Sequence, residues 1–176
     1  LEAVMETHYG SDLNWFFDQW IYGNGHPEYD FLWAGSHSKV KVEVSQQVTG
    51  SYPNLFTTPL DVRLRGANFS EEIQVIWVDE ANVSFLLTTG FQPTSLTLDP
   101  NGWVLGTYSG SEVGLLGDIN LDNLVNILDI IATANFILNQ NDLMEDQFFL
   151  TDVDGDHFIT IMDIIQIVNI ILDNTA

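Results

Sequence analysis

The reading turns on residues 118–129, Asp118-Ile119-Asn120-Leu121-Asp122-Asn123-Leu124-Val125-Asn126-Ile127-Leu128-Asp129. The pattern returns 34 residues later as Asp152-Val153-Asp154-Gly155-Asp156-His157-Phe158-Ile159-Thr160-Ile161-Met162-Asp163. Both segments place oxygen-bearing side chains at positions 1, 3, 5, 9 and 12 of a twelve-residue loop, and both run on into an apolar stretch of helical length. A loop-helix unit used twice accounts for that register.

The spacing suits calcium, a hard cation that takes six to eight oxygens at about 2.3–2.6 Å. A tight loop turns alternate residues inward from positions 1, 3 and 5. Position 7 offers only its backbone carbonyl, so its side chain is free to vary. Position 9 opens the helix, and position 12 closes the far side with a carboxylate. The expected ligands are Asp118, Asn120, Asp122, Leu124, Asn126 and Asp129 for one ion, and Asp152, Asp154, Asp156, Phe158, Thr160 and Asp163 for a second. This is the spacing of an EF-hand-type loop with two departures. Position 6, usually Gly, is Asn123 or His157, residue types that tolerate left-handed backbone. Position 12 is Asp rather than the longer Glu. Apolar Val125 and Ile159 at position 8 invite a short bridge between the loops. The plainer alternative, that these acids merely cap helices, explains one loop but not two in register. Without metal the carboxylates repel one another, so ion binding is expected to contribute directly to folding.

Composition narrows the function classes. The chain has 176 residues and a formal charge of −21. Lys39, Lys41, Arg63 and Arg65 are its only basic residues. So acidic a surface does not suit a phosphate-reading nucleic-acid binder, and no such partner is expected. There is no cysteine, which removes disulfides and thiolate chemistry. The most apolar run, Ile159 to Leu172, is interrupted by Asp163, Gln166 and Asn169 and is too short to span a bilayer. The polar opening, Leu1–Gly10, lacks the basic region of a signal peptide, and the sequence reads as a piece of a longer protein.

Along the chain, Leu1 to about Tyr22 reads as helix, with Ser11 as N-cap and an aromatic surface of Trp15, Phe16, Phe17 and Trp20. Alternation at Lys39–Val44 and Leu60–Arg65, and apolar runs at 73–78, 83–88, 95–98 and 103–108, read as antiparallel strands separated by turn signals. The expected fold class is α+β multidomain. A helix (1–23) precedes an antiparallel β-sandwich (24–108), a linker (109–116) and a small all-α module with two calcium loop-helix repeats (117–176).

The repeat also carries a family resemblance. Gly117 to Asp122, Val125 to Ile131 and a helix to Leu138, repeated from Asp152 to Leu172, resemble a type I dockerin, where Asp at position 12 also fits. The resemblance implies two calcium ions and a cohesin-like partner, with specificity carried at loop positions 10 and 11. Here those positions are the apolar Ile127, Leu128, Ile161 and Met162. Two helices this apolar cannot bury each other fully. Either a partner covers the surplus or the chain's own β-sandwich does.

Residues Asp12 to Tyr29, Asp-Leu-Asn-Trp-Phe-Phe-Asp-Gln-Trp-Ile-Tyr-Gly-Asn-Gly-His-Pro-Glu-Tyr, are similar to the end of the catalytic domain in the M1 family of zinc aminopeptidases. Phe56–Leu60 and Leu98–Trp103 fit the sandwich that follows it there. Such enzymes need a His-Glu-x-x-His helix for zinc, which this sequence lacks; His8, His26, His37 and His157 are scattered. The resemblance implies a non-catalytic C-terminal part of a secreted bacterial metallopeptidase, without zinc. The expected function is therefore calcium-dependent docking outside the cell. The alternative is a calcium module that only stabilises its own sandwich.

Overall fold

Strand alternation explains the core. In β2 (Lys39–Val48), Val40, Val42 and Val44 all face one way and are fully buried. β2 pairs antiparallel with β1 (Pro27–Ser36), which sends Tyr29 and Trp33 into the same core. With β5 (Asn82–Thr88) and β7 (Thr107–Gly114) these strands make a four-stranded sheet of order β5-β2-β1-β7. A second sheet, of order β4-β3-β6, comprises β3 (Thr58–Gly66), β4 (Glu71–Val78) and β6 (Pro93–Leu98). It supplies Leu60, Val62, Leu64, Ile76, Val78, Leu96 and Leu98 to the core between the sheets. This computed structural model describes residues 1–139 and 142–173. The last residues of the expected 117–176 unit, 174–176, and its residues 140–141 lie outside the described residues.

Two strand details differ from the sequence reading. Residues 103–106 are not strand; β7 instead takes in residues 109–114, read above as linker. β7 pairs with β1 in parallel, so the sheet is not wholly antiparallel. Parallel pairing needs a long crossover, and the five strands β2 to β6, the whole second sheet among them, lie between the two.

The N-terminal helix is two pieces. Helix α1 (Glu2–Tyr9) ends at Gly10, whose φ of 85° is left-handed backbone that glycine adopts freely. A short turn, α2 (Asn14–Phe16), continues as a π-helical turn over Phe17–Ile21. Its N-cap is Leu13, not Ser11, and Asp12 Oδ1 just before it accepts the Asn14 N–H at 2.9 Å. The aromatic face packs inward: Phe17 is buried, and Trp20 lies 4.5 Å from Phe56.

The fold-class expectation is overturned at the C-terminal end. There is no free-standing small all-α module. Helices α3 (Ile127–Asn139), α4 (Glu145–Thr151) and α5 (Ile161–Asp173) belong to one α+β domain, with two sheets and five α-helices among the described residues. The physical reason is a second core on the outer face of the four-stranded sheet. There Ala34 of β1 lies under Leu116, Phe149, Leu150, Val153, Ile167 and Ile170, with Leu86 of β5 and Val113 of β7 against them. The helices thus use the sheet as their floor and are not complete without it. Among the described residues, no helix is long and apolar enough to cross a membrane.

The inner core carries a pH signature. The Tyr29 hydroxyl donates to Thr58 Oγ1 at 2.9 Å, and its ring stacks on Tyr108. Burial pushes the Tyr29 phenol up from 10.0 to about 12, partly offset by the Thr58 bond. The folded state therefore keeps a proton that the unfolded chain loses. Its contribution to stability is complete below pH 10 and is lost as the pH rises toward 12. Urea unfolding at pH 9 and pH 11 should show that loss, and Tyr29→Phe should reduce it.

Candidate metal loops

The two loops hold positions 1, 5 and 12 by the same internal bonds. The backbone N–H at position 6 donates to the position 1 carboxylate: Asn123 to Asp118 at 2.8 Å, His157 to Asp152 at 3.3 Å. Position 7 donates to position 5, Leu124 to Asp122 at 2.9 Å and Phe158 to Asp156 at 2.7 Å. Position 9 donates to position 12, Asn126 to Asp129 and Thr160 to Asp163, both at 2.8 Å. Position 3 donates to the other oxygen of position 12 at 3.4 Å in each loop. These bonds give the two loops the same internal scaffold.

Backbone conformation follows the same register. Asn123 and His157 both have positive φ, 64° and 66°, as expected for position 6. Position 4 is left-handed too, at Leu121 (φ 60°) and Gly155 (φ 75°). The sequence reading did not anticipate that for Leu121, which has no side-chain preference for this region. The expected bridge between Val125 and Ile159 does not form; among the described residues the isolated bridge joins Asn24 and Tyr52.

The donor set fits calcium. Asp118, Asp129, Asp152 and Asp163 are buried, while positions 3 and 5 lie nearer the surface. Carboxylate oxygens of Asp152, Asp154 and Asp156 all lie within 4.8 Å of one another. Among the described residues this is the cluster of three or more His, Asp or Glu side chains placed to hold a metal. The first loop has Asn120 at position 3, so it offers two carboxylates and an amide there. All donors are oxygen, which suits calcium and not zinc. His8, His26, His37 and His157 are not brought into this cluster.

Burial without a cation perturbs these groups. Desolvation raises the Asp129 carboxyl, opposed by N–H donors from Asn126 and Asn120 and reinforced by Asp118 and Asp122. Desolvation raises Asp163 in the same way, with Asp154 adding to it and N–H donors opposing it. Asp154 is also raised, first by desolvation, opposed by the Asp156 N–H and reinforced by the Asp156 and Asp152 charges, with Lys41 a smaller opposing influence.

Lys41 is the residue the sequence reading passed over. It lies on the face of β2 opposite to Val40 and Val42, yet its side chain is only 1% exposed. Its ammonium donates to Asp152 Oδ2 at 2.9 Å and to the carbonyls of Asp152 and Phe149, and it lies 4.7 Å from the Phe149 ring centre. The other ion pair, Arg65–Glu71, is half exposed. Exposed pairs contribute about 0.2–1 kcal/mol. Removing one partner of a buried pair costs about 3–5 kcal/mol, because the survivor is left desolvated. The alternation in Lys39-Val-Lys41-Val marks a strand and sets the lysines opposite the valines, and only the helix layer above that face reveals the burial of Lys41.

Helix α4 was also not read from the sequence. Its signal was present: acidic Glu145 and Asp146 in the first turn, then Phe148, Phe149 and Leu150. It ties both loops together. Gln147 Nε2 donates to the Ile119 carbonyl in the first loop at 2.8 Å, and Gly117 N–H donates to the Leu150 carbonyl at 2.8 Å.

Positions 10 and 11, assigned to partner recognition, face outward in both repeats. Ile127 and Leu128 are 66% and 55% exposed; Ile161 and Met162 are 67% and 50% exposed. Leu124 and Phe158 at position 7 are exposed as well. The opposite faces of α3 and α5, through Thr133, Ile167 and Ile170, are buried.

No protein-family model matches this chain, and no curated protein matches it. Among solved structures it is similar to aminopeptidase A from Legionella pneumophila, crystallised with aspartic acid, with a TM-score of 0.45 and 15% identity. The match covers 85% of this chain and 19% of that one, so the chain spans about a fifth of that enzyme's length.

The raised carboxyls give a signed pH effect. A calcium ion in these loops would bind the carboxylate form, so its affinity would fall as acid protonates Asp129 and Asp163, and binding would expel protons. In the metal-free chain the same shifts favour folding below the ordinary value of 3.8, a contribution lost as the pH rises through the raised values. Calorimetric calcium titrations at mildly acid pH, in two buffers of different ionisation heat, should differ by the heat of released protons. Identical heats would show that these carboxyls do not ligate the ion.

Proposed function

We propose that this chain binds two calcium ions in the loops 118–129 and 152–163, and that the ions hold an apolar face ready for docking to a partner protein of the cohesin class. The observation that supports docking most directly is the matched exposure of Ile127 and Leu128 with Ile161 and Met162. These four residues occupy equivalent positions at the starts of α3 and α5. Ile131 and Ile165, one turn further on, are exposed as well. Large apolar side chains presented twice by one repeat are a costly surface to leave in water. Aliphatic side chains of this size gain about 1.5–3 kcal/mol each on full burial.

A second reading has its own observation. The repeat already covers the outer face of its own sheet, through Ala34, Leu86 and the buried Lys41. On this reading the ions serve only to stabilise the fold. In the first reading the chain is the non-catalytic C-terminal part of a secreted bacterial zinc aminopeptidase and attaches that enzyme to a scaffold or cell surface. That wider setting is supported by the residue pattern of Asp12–Tyr29.

The two readings separate on surface variants. Ile127→Glu with Ile161→Glu should leave calcium binding and thermal stability nearly unchanged, since both residues are exposed. The pair should weaken capture by a panel of immobilised cohesin domains in calcium by at least about a hundredfold, given anchor losses of about 2 kcal/mol or more each. If the parent chain binds no cohesin in calcium, the stabilising role is the one that stands.

A further inference from the structure

The two loops share a backbone but not a setting. Lys41 reaches only the second. Its ammonium contacts Asp152 Oδ2, the Asp152 carbonyl and the Phe149 carbonyl, all at the junction of α4 and loop 152–163. Gly155, at position 4 of that loop, rests on β5. A Cβ there would meet the Ser84 Cβ at 2.7 Å, and its left-handed φ of 75° independently favours glycine. The matching residue in the first loop is Leu121, which is 39% exposed. Asp118 at position 1 is held by N–H groups of its own loop, from Asp122 and Asn123, with no cation beside it.

We propose that Lys41 is a positioning residue that keeps the second loop formed on the sheet without metal, so that the two calcium sites are unequal and the second fills first. The inference rests on the calcium reading of both loops. Charge does not separate the sites. The second loop carries four carboxylates, Asp152, Asp154, Asp156 and Asp163, and Lys41 cancels one; the first carries three, Asp118, Asp122 and Asp129. With net attraction for a divalent cation matched, organisation decides. Lys41 takes Asp152 Oδ2, while Oδ1 accepts only the Gly155 N–H at 3.0 Å and keeps its remaining lone pair for an ion. The first loop is tied to α4 by the Gln147–Ile119 bond but has no ion pair on its position 1 carboxylate, so more of its order is left to the ion, and that entropy lowers its affinity. The second has met this cost in folding against the sheet.

Hydrogen exchange of the whole chain in EDTA tests this without any substitution. Amides of 153–160 should exchange at least about tenfold more slowly than those of 119–126, as expected of a loop pinned to the sheet by a buried ion pair against one without that pin. Calcium should then slow 119–126 to match. Lys41→Met should abolish the difference in EDTA, and Lys41→Arg should restore it, since a purely space-filling role would not discriminate between the two. Equal exchange of the loops in the parent chain in EDTA overturns the proposal, as does a difference that survives Lys41→Met. Failure of the calcium reading looks different: calcium would leave 119–126 unchanged, whatever Lys41 does in EDTA.

Discussion

Buried negative charge is the constraint on which the C-terminal half depends. Asp118, Asp129, Asp152 and Asp163 are all withdrawn from water, and one lysine serves only the last pair's loop. A carboxylate moved out of water without a partner protonates or opens its surroundings. The loops spend their backbone N–H groups on these oxygens, which offsets part of the cost. It does not cancel the repulsion between carboxylates that converge within a few ångströms. A divalent cation at that point would offset the repulsion and cross-link the loop. The same ions would then fix the starts of α3 and α5, and with them the exposed apolar side chains at positions 10 and 11.

The helices serve two surfaces. One face of each contributes to a core built on the outer side of the four-stranded sheet, where Ala34 is small enough to let α4 and α5 approach. The other face stays in water. This resolves the apolar surplus seen in the sequence into parts: Ile167 and Ile170 are inside, while Ile127, Ile131, Ile161 and Ile165 are not. It also explains why the calcium repeat is an integral layer of an α+β domain and not a separate module. Lys41 and Ala34 sit opposite each other on neighbouring strands, so the sheet offers the helix layer both an apolar seat and a charge.

What was legible in the sequence was local. Ligand spacing depends on residues within twelve positions, and the left-handed backbone at Asn123 and His157 follows from their side chains. Alternation at Lys39–Val44 placed the valines inside for the same reason. What could not be read was long-range. The parallel pairing of β1 with β7 joins residues far apart in the chain, and nothing in Thr107–Gly114 marks that partner. Burial of Lys41 depends on a helix layer that starts a hundred residues later. Strand alternation puts Lys39 and Lys41 on one face and has no means of saying that only one of them is covered. Helix α4 was short enough to hide between the two repeats, although its acidic first turn and following aromatic pair had the right order.

The central claim is that two calcium ions occupy the matched loops of one folded domain. Equilibrium dialysis of the full chain against radioactive calcium at neutral pH tests it most directly. The account predicts saturation at two ions per chain, and one ion per chain when Asp118 and Asp129 are both replaced by Ala. Saturation below one ion in the parent chain, or a stoichiometry that those replacements leave unchanged, would contradict it.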